Sequence, residues 1–386
     1  MSWPNATLGD HIDVLSGFAF KSDRFNTESR GLPLIRIRDV LPGRTETFYD
    51  GDFEEHFLIK DGDILIGMDG EFNCSRWVGG KALLNQRVCR VKSSNGKLLD
   101  GYLFRFLPAA LKKIEDKTPY VTVKHLSAKE IRNIEIPLPP LEEQRRIAAI
   151  LDLADALRRK RREALDNVEK LIASNFLSMF GDPATNLHGF PTLSLGQASV
   201  VFSDGPFGSN LKSEHYVERG IRVIRLQNIG TGKFIDGDKA YISEEHFFRL
   251  KKHTCLPGDV LIGTLGDPNL RACIQPSYIP VALNKADCVQ MRVNPEVCTP
   301  EFVAALLNIP SVERMAQSKI LGQTRLRISM GRLRELKLPF PPIALQQQFA
   351  ARVSQISQLR GQYLEHYAQL DALFASLQHR AFRGEL

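Results

Sequence analysis

The sequence predicts an α+β protein with a pseudo-twofold internal repeat, in which two β-rich α/β modules are separated by two long helices that pair as an antiparallel coiled coil. Three observations lead to this fold. The chain of 386 residues repeats a series of landmarks once, each half contains a proline-rich hinge, and each hinge precedes about 40 residues with apolar side chains at helical spacing.

The repeat is carried by short strand-like segments that recur in the same order. The offset between copies drifts within the modules, as expected when loops differ in length, and becomes constant at 202 residues across the hinge. The matched pairs are GLPLIRIRDV (31–40) with GIRVIRLQNI (220–229), GDILIGMDG (62–70) with GDVLIGTLG (258–266), and IEIPLPPLEEQRRIAAIL (134–151) with LKLPFPPIALQQQFAARV (336–353).

Each half begins with a globular module of short β-branched runs punctuated by glycine, proline and aspartate, which indicates strands joined by turns. A Pro-x-Pro-Pro hinge then favours the start of a helix, because proline is disfavoured in a helix interior but suits the first turn. The predicted segments are a first module at 1–136, a hinge and long helix at 137–183, a second module at 184–338, and a hinge and long helix at 339–386.

The two predicted helices, 141–180 and 343–382, each have 40 residues and would extend about 60 Å at 1.5 Å per residue. Their apolar residues recur at three- and four-residue steps, as in a coiled-coil seam. Equal length and the high effective concentration of two helices in one chain favour pairing with each other over a homodimer or another subunit. The residues expected in the seam are Ile147, Ile150, Leu157, Val168 and Leu171 of the first helix, and Phe349, Ile356, Tyr363, Leu370 and Leu377 of the second.

Composition bounds the function only loosely. Lysine and arginine outnumber aspartate and glutamate 51 to 44, and the formal charge of +7 favours a polyanionic partner such as nucleic acid. We expect no membrane association and a cytoplasmic location, since the sequence shows neither a leader nor an apolar run long enough to span a bilayer. The six cysteines form no C-x-x-C pair, so reduced and mostly buried thiols are predicted.

The motifs of common DNA-modifying enzymes are absent from the sequence. Gly232-Lys233 is not a phosphate-binding loop, because Gln227 stands where the first glycine is needed and Phe234 replaces the serine or threonine. The Gly-Asp pairs at 62–63 and 258–259 precede apolar residues and are interpreted as turns into buried strands. The sequence therefore predicts no catalytic residue, no bound cofactor and no metal site in this chain.

The order of module, hinge and helix, together with three segments, closely resembles the specificity subunits of type I restriction-modification systems. The segments are IPLPPLEEQRRIAAIL (136–151), FLSMFGDP (176–183) and LPFPPIALQQQF (338–349). The resemblance implies that each module is a target recognition domain reading one half of a split, asymmetric double-stranded DNA sequence. It also implies two modification (methyltransferase) subunits that bind S-adenosylmethionine and methylate adenine, and restriction subunits that translocate and cut DNA.

Candidate DNA contacts are polar residues in the loops of each module, since base edges are read by side chains that donate or accept hydrogen bonds. In the first module they are Asn73, Arg76, Lys81, Tyr120, Lys124 and His125. In the second module they are Ser209, Asn210, Lys212, Asn269, Arg271, Gln323, Thr324 and Arg325. The basic run at 158–162 favours a solvated helix face with subunit contacts over phosphate binding, because five successive residues point in all directions around a helix.

Three alternatives remain open from the residues. A specificity subunit serving a methyltransferase alone would have the same modules and helices. A coiled-coil scaffold would self-associate without any dependence on DNA. A fused enzyme would need unfamiliar catalytic motifs in a chain already accounted for by modules and helices.

Overall fold

The computed structural model describes residues 3–117, 124–266, 268–317 and 327–386. The chain divides into two compact units, here called unit 1 (Met1–Arg162 with Glu365–Leu386) and unit 2 (Glu163–Leu364). Each unit contains one module and half of each long helix. Sequence periodicity does not predict this division, because it gives each helix as one uninterrupted element.

Unit 1 holds the first module, which precedes the first long helix, and the beginning of that helix. The strands are β1 (Asn5–Thr7), β2 (Ile12–Ser16), β3 (Phe25–Asn26), β4 (Leu32–Ile35), β5 (Phe48–Tyr49), β6 (Leu58–Ile59), β7 (Ile64–Gly67), β8 (Cys74–Arg76), β9 (Ala82–Leu84), β10 (Val88–Ser93) and β11 (Glu135–Pro137). The helices are α1 (Asp100–Lys117), α2 (Ala128–Arg132) and α3 (Leu141–Phe180), the last of which continues into unit 2.

Unit 2 holds the second module. Its strands are β12 (Thr192–Ser194), β13 (Ser199–Ser203), β14 (Tyr216–Val217), β15 (Ile221–Ile224), β16 (Ala240–Ile242), β17 (Thr254–Cys255), β18 (Val260–Gly263), β19 (Ala272–Ile274), β20 (Ala282–Asn284), β21 (Cys288–Val293) and β22 (Lys337–Pro339). Its helices are α4 (Glu244–Arg249), α5 (Pro300–Leu307), α6 (Pro310–Ala316), α7 (Met330–Arg334) and α8 (Ile343–Ala381), the last of which continues into unit 1.

The two modules have the same strand order. A four-stranded antiparallel sheet runs β2-β10-β7-β8 in the first and β13-β21-β18-β19 in the second. A five-stranded sheet runs β3-β5-β4-β9-β6 and β14-β16-β15-β20-β17, and a strand pair runs β1-β11 and β12-β22. The internal repeat is therefore a repeat of topology, and the predicted α+β fold class with two β-rich modules is confirmed.

In each four-stranded sheet the inner strand β7 or β18, here called the central strand, is buried on both faces. This burial explains its continuous apolar sequence. In β7, Ile64 and Ile66 face one apolar cluster while Leu65 faces another. In the turn before β7, the Asp63 carboxylate accepts the Lys60 backbone N–H at 2.9 Å, and Asp259 accepts that of Leu256 at 2.7 Å before β18. The interpretation of both Gly-Asp pairs as turns into buried strands is confirmed.

A fully buried glutamine joins each hinge to its module. The side-chain amide of Gln144 donates to the carbonyls of Pro139 and Lys97 at 2.8 and 2.9 Å, and its oxygen accepts the Leu99 N–H at 2.9 Å. Gln346 makes the same three contacts with Pro341, Val297 and Thr299, at 2.8, 3.0 and 3.1 Å. Because a buried amide without partners is costly, these bonds fix the start of each long helix against its own module.

The long helices pair antiparallel within each unit. In unit 1, Arg146 donates to the carbonyl of Leu386, which follows the end of α8, at 2.8 Å, and Arg158 pairs with Asp371 of α8 at 2.9 Å. In unit 2, Glu169 pairs with Arg360 at 3.4 Å, and Arg352 donates to Asn175 at 3.4 Å. Partner numbers fall on α8 as they rise on α3, which confirms the predicted antiparallel pair.

The predicted seam residues differ in burial. Ile147, Val168, Phe349 and Ile356 are buried, and Ile150, Tyr363, Leu370 and Leu377 are partly buried. Leu157 and Leu171 remain 47% and 39% exposed. A two-helix seam buries only a narrow stripe on each helix, so a residue slightly off that stripe keeps much of its surface in solvent.

Phenylalanine rings dominate the core where the long helices meet the second module. Phe176 and Phe180 of α3 pack on Phe302 of α5, with ring centroids 5.5 and 5.1 Å apart, and Phe349 of α8 lies 5.7 Å from Phe176. The corresponding contact in unit 1 is smaller, with Phe382 5.2 Å from Tyr102.

All six cysteines are free thiols, five of them buried. Burial raises the pKa of Cys89, Cys273 and Cys298 to about 12, so these thiols stay protonated at neutral pH. The predicted reduced and mostly buried state is confirmed. Within the described ranges, no helix combines the length and apolarity needed to cross a membrane.

Candidate nucleic-acid interface

Two loops that the sequence singles out in the first module are hydrogen-bonded to each other. The Gly70 N–H donates to the Lys124 carbonyl at 2.9 Å, and the Leu126 N–H donates to the Met68 carbonyl at 2.7 Å. The second module repeats this contact through the Ile328 N–H and the Thr264 carbonyl at 3.0 Å. Each module therefore brings the loop after its central strand against a segment about 60 residues later in the chain.

A charged cluster forms at this contact in the first module. Asp69, whose side chain is 14% exposed, accepts from His125 Nδ1 at 2.6 Å and from Arg87 Nη1 at 2.7 Å. Among the described residues, no further hydrogen-bond partner contacts the other ring nitrogen of His125 or the remaining guanidinium nitrogens of Arg87. A carboxylate that orients two donors in this way leaves them fixed in direction, as recognition of a rigid ligand requires.

The other described candidates of the first module are mostly engaged within the protein. The Arg76 guanidinium lies 4.7 Å from the centre of the Phe104 ring, and Lys124 Nζ donates to the Glu115 carbonyl. The Asn73 carbonyl accepts the Gly67 N–H at 2.8 Å, and its side chain is partly buried. Lys81 and His125 are the exposed candidates among the described residues of this module.

In the second module, Asn269 and Arg271 support the loop that carries them. Asn269 is buried and donates to the Gly266 carbonyl at 2.8 Å, while its own N–H donates to Glu313 at 2.6 Å. The Arg271 guanidinium donates to the Ile229 carbonyl at 2.8 Å and to those of Leu226, Leu265 and Pro268 at 3.3 to 3.4 Å. These contacts direct both side chains inward rather than toward a ligand.

Ser209, Asn210 and Lys212 lie together in an exposed loop after β13. The Asn210 carbonyl binds His246 Nε2 at 2.9 Å, and the Lys212 N–H donates to His215 Nδ1 at 3.0 Å. These bonds use backbone groups, so the loop is anchored while the side chains of Ser209 and Lys212 remain at the surface. Tyr120, Gln323, Thr324 and Arg325 lie outside the described residues.

Sequence reasoning missed residues beside these loops. Arg327 forms an ion pair with Asp287 at 2.7 Å and stacks 5.2 Å over Phe207, a ring that is 43% exposed. Asp69 and Arg87 were missed for the same reason as Asp287, because each contacts its partner only across the folded module. Their position in the repeat could have identified two of them, because Arg87 directly precedes β10 and Asp287 directly precedes the matched strand β21.

The basic run on α3 is partly neutralised by its neighbours in unit 1. Arg158 pairs with Asp371 and lies 4.4 Å over the Phe374 ring, while Arg159 is 3.7 Å from Asp155. Arg159, Lys160 and Arg162 are exposed at their surface positions. This distribution agrees with the prediction of a solvated face, with Arg158 joining the helix pair.

Comparison with known proteins finds similarity to one kind of protein along the chain. Residues 2–167 match the family model described as type I restriction modification DNA specificity domain. The chain is similar to the type I restriction enzyme EcoBI specificity subunit of Escherichia coli, with 28% identity covering 100% of this chain and 86% of that protein. It is also similar to the MjaVIII specificity subunit of Methanocaldococcus jannaschii, with 22% identity covering 92% of this chain and 86% of the relative.

Solved structures share the fold along the whole chain. The type I restriction-modification S subunit from M. genitalium aligns with a TM-score of 0.55 and 16% identity, over 99% of this chain and 96% of that one. A second solved chain comes from work on complex assembly and conformational transition of the type I R-M system. It aligns with a TM-score of 0.61 and 17% identity, over 100% of this chain and 98% of that one. The matched domain over residues 2–167 and the relatives aligned over most or all of the chain show that this chain is similar to type I restriction-modification specificity subunits.

Proposed function

We propose that each module of this chain reads one half of a bipartite, asymmetric double-stranded DNA target, and that the chain directs partner methyltransferase and nuclease subunits to it. The carrying observation is that the modules share one strand order but present unlike side chains at matched loop positions. A common scaffold with divergent loops suits two readers of different sequences, because loops carry recognition while the core carries stability.

We infer that the helix pair sets the separation of the two half-sites. The helices have 40 and 39 residues, and a helix of that length extends about 60 Å. Major-groove faces recur about every 34 Å along DNA, so a spacer of this length is sufficient for two readers on one duplex.

The proposed role is non-catalytic. In this proposal S-adenosylmethionine is bound by two modification subunits, which carry out methylation, while restriction subunits translocate and cut DNA. The described residues of this chain contribute positioned donors and loops, and those are groups for binding rather than for bond breaking.

The test is adenine-methylation mapping across the genome of a methylation-free host that expresses this chain with a partner methyltransferase. The control expresses the methyltransferase alone. A split, asymmetric motif that appears only with this chain supports the proposal. An active, soluble complex without any chain-dependent motif would refute it and favour the scaffold alternative.

The spacer role has its own test. Inserting one heptad into α3 and one into α8 lengthens each helix by about 10 Å. We expect both half-sites to stay unchanged while the gap between them widens by about three base pairs, at 3.4 Å per pair. An unchanged gap in a folded, active variant would contradict the spacer role.

A further inference from the structure

A cleft of about 310 Å³ opens in unit 1 beside the parallel strand pair of the first module. In this pair Ile35 of β4 lies opposite Leu84 of β9, so the residues that follow leave the sheet at the same edge. Open sheets bind ligands at the carboxyl ends of parallel strands, where loops diverge. The position of the cleft thus matches that of a binding site.

The cleft presents hydrogen-bond donors beside aromatic rings. Its lining includes Phe20, Phe25, Arg36, Gln86 and Arg87. The backbone N–H of Arg36 donates to the Asp39 carboxylate at 2.9 Å. Among the described residues, no acceptor binds the Arg36 guanidinium. The Gln86 side chain is exposed, and within the described ranges its one hydrogen bond runs from its backbone N–H to the Asn85 side-chain oxygen at 2.7 Å.

Arg87 differs from its neighbours because its direction is fixed. Its Nη1 binds Asp69 at 2.7 Å, and its side chain is 60% exposed. Asp69 also holds His125, so the cleft and the loop contact described above form one continuous surface. An arginine oriented by a carboxylate presents its remaining donors in a defined plane, which suits the paired acceptors of guanine.

Comparison with the second module distinguishes residues expected to contact bases from residues expected to contact DNA phosphates. Arg225 stands where Arg36 stands, directly after the matched strand β15, whereas Ala286 and Asp287 occupy the places of Gln86 and Arg87. DNA phosphates are identical in both half-sites, so residues that bind them have no reason to differ. A change from arginine to aspartate at one position indicates that the two modules contact different base edges.

We propose that this cleft is the base-reading site of the first module, with Gln86 and Arg87 determining its half of the target. Arg36 supplies a further donor in the first module, whereas the guanidinium of its counterpart Arg225 is ion-paired with Asp238. This inference rests on the proposed function, because it assigns the residues through which DNA reading takes place. The ligand is the major-groove edge of purine bases, for which arginine and glutamine are the matching side chains.

The experiment uses the full chain in complex with its methyltransferase partner and compares wild type with Gln86→Ala, Arg87→Ala and a control. The control is Lys92→Ala, an exposed residue of β10 that does not line the cleft. Methylation maps and DNA binding are measured for each, together with thermal unfolding to confirm that each variant is folded. We expect each cleft variant to lose roughly ten- to hundredfold discrimination at one position of one half-site, with the other half-site unchanged.

The outcomes separate this inference from the function on which it rests. If wild type yields no chain-dependent motif, the proposed function itself fails. If wild type yields a split motif that both cleft variants retain in full, the function stands and the cleft assignment is overturned. Weaker binding with an unchanged motif would identify phosphate contacts and would also overturn the base-reading assignment.

Discussion

The two modules share every strand neighbour but differ in the charges at the ends of those strands. In the first module, Asp69 follows the central strand and binds Arg87 and His125. In the second, Leu265 occupies the place of Asp69, and Asp287 binds Arg327. The backbone is conserved between the modules because the same apolar positions must be buried, whereas the loop charges are free to diverge. The difference therefore lies in the charges at the strand ends and not in the order of the strands.

The aromatic core of unit 2 gives the largest expected difference in stability. Phe302 contacts three phenylalanine rings, whereas Tyr102, at the matched place in unit 1, contacts the ring of Phe382. Replacing Phe302 with alanine leaves a cavity and should lower the free energy of unfolding by about 3–5 kcal/mol. Urea unfolding measures the loss, and hydrogen exchange should place it in residues 163–364. A loss below about 1 kcal/mol, or one spread equally over both units, would contradict the prediction.

The turns before the central strands should respond unequally to the same substitution. Asp259 is buried and accepts from Arg292 at 2.8 Å and Gln290 at 2.7 Å, while the described contact of the Asp63 carboxylate is with Lys60 N–H. Hydrogen bonding to Asp259 also raises the pKa of Arg292. Asp259→Asn should therefore lower the free energy of unfolding by about 3 kcal/mol, because it leaves the Arg292 guanidinium without its ion pair. Asp63→Asn should lower it by about 1 kcal/mol. Equal losses in urea unfolding would show that the additional contacts contribute nothing.

The hinge glutamines should behave alike, which tests the common part of the two halves. Gln144→Met and Gln346→Met each leave buried backbone groups without partners, so each should destabilise its own unit by about 2 kcal/mol. Gln347→Met is the matched control, since Gln347 is exposed and one position further along α8. Hydrogen exchange in each unit gives the measurement. A clear effect in only one half would mean that the two hinges are not equivalent.

The smallest expected difference is in the response to acid. His253 precedes β17 where Phe57 precedes β6, and burial lowers the pKa of this histidine while the Asp204 carbonyl opposes the shift. Because the folded state disfavours protonation of His253, the neutral histidine contributes to the free energy of unfolding above the unfolded pKa of about 6.5. That contribution is lost as the pH falls below this value.

His253→Phe should remove that component from unit 2. Hydrogen exchange between pH 7.5 and 5.5 would be compared for wild type and the variant, with the equivalent segment of unit 1 as an internal reference. An identical acid response of unit 2 in both proteins would show that His253 does not contribute.

The sequence by itself determined the repeated modules, the hinges, the paired helices and the buried turns. These follow from periodicity and local preference, which neighbouring residues encode. Only the tertiary structure decided that Asn269 and Arg271 point inward, that each long helix is shared between both units, and that Asp69, Arg87 and His125 meet. Those contacts join residues up to 56 positions apart, and their energy depends on burial and geometry that exist only once the sheets have formed.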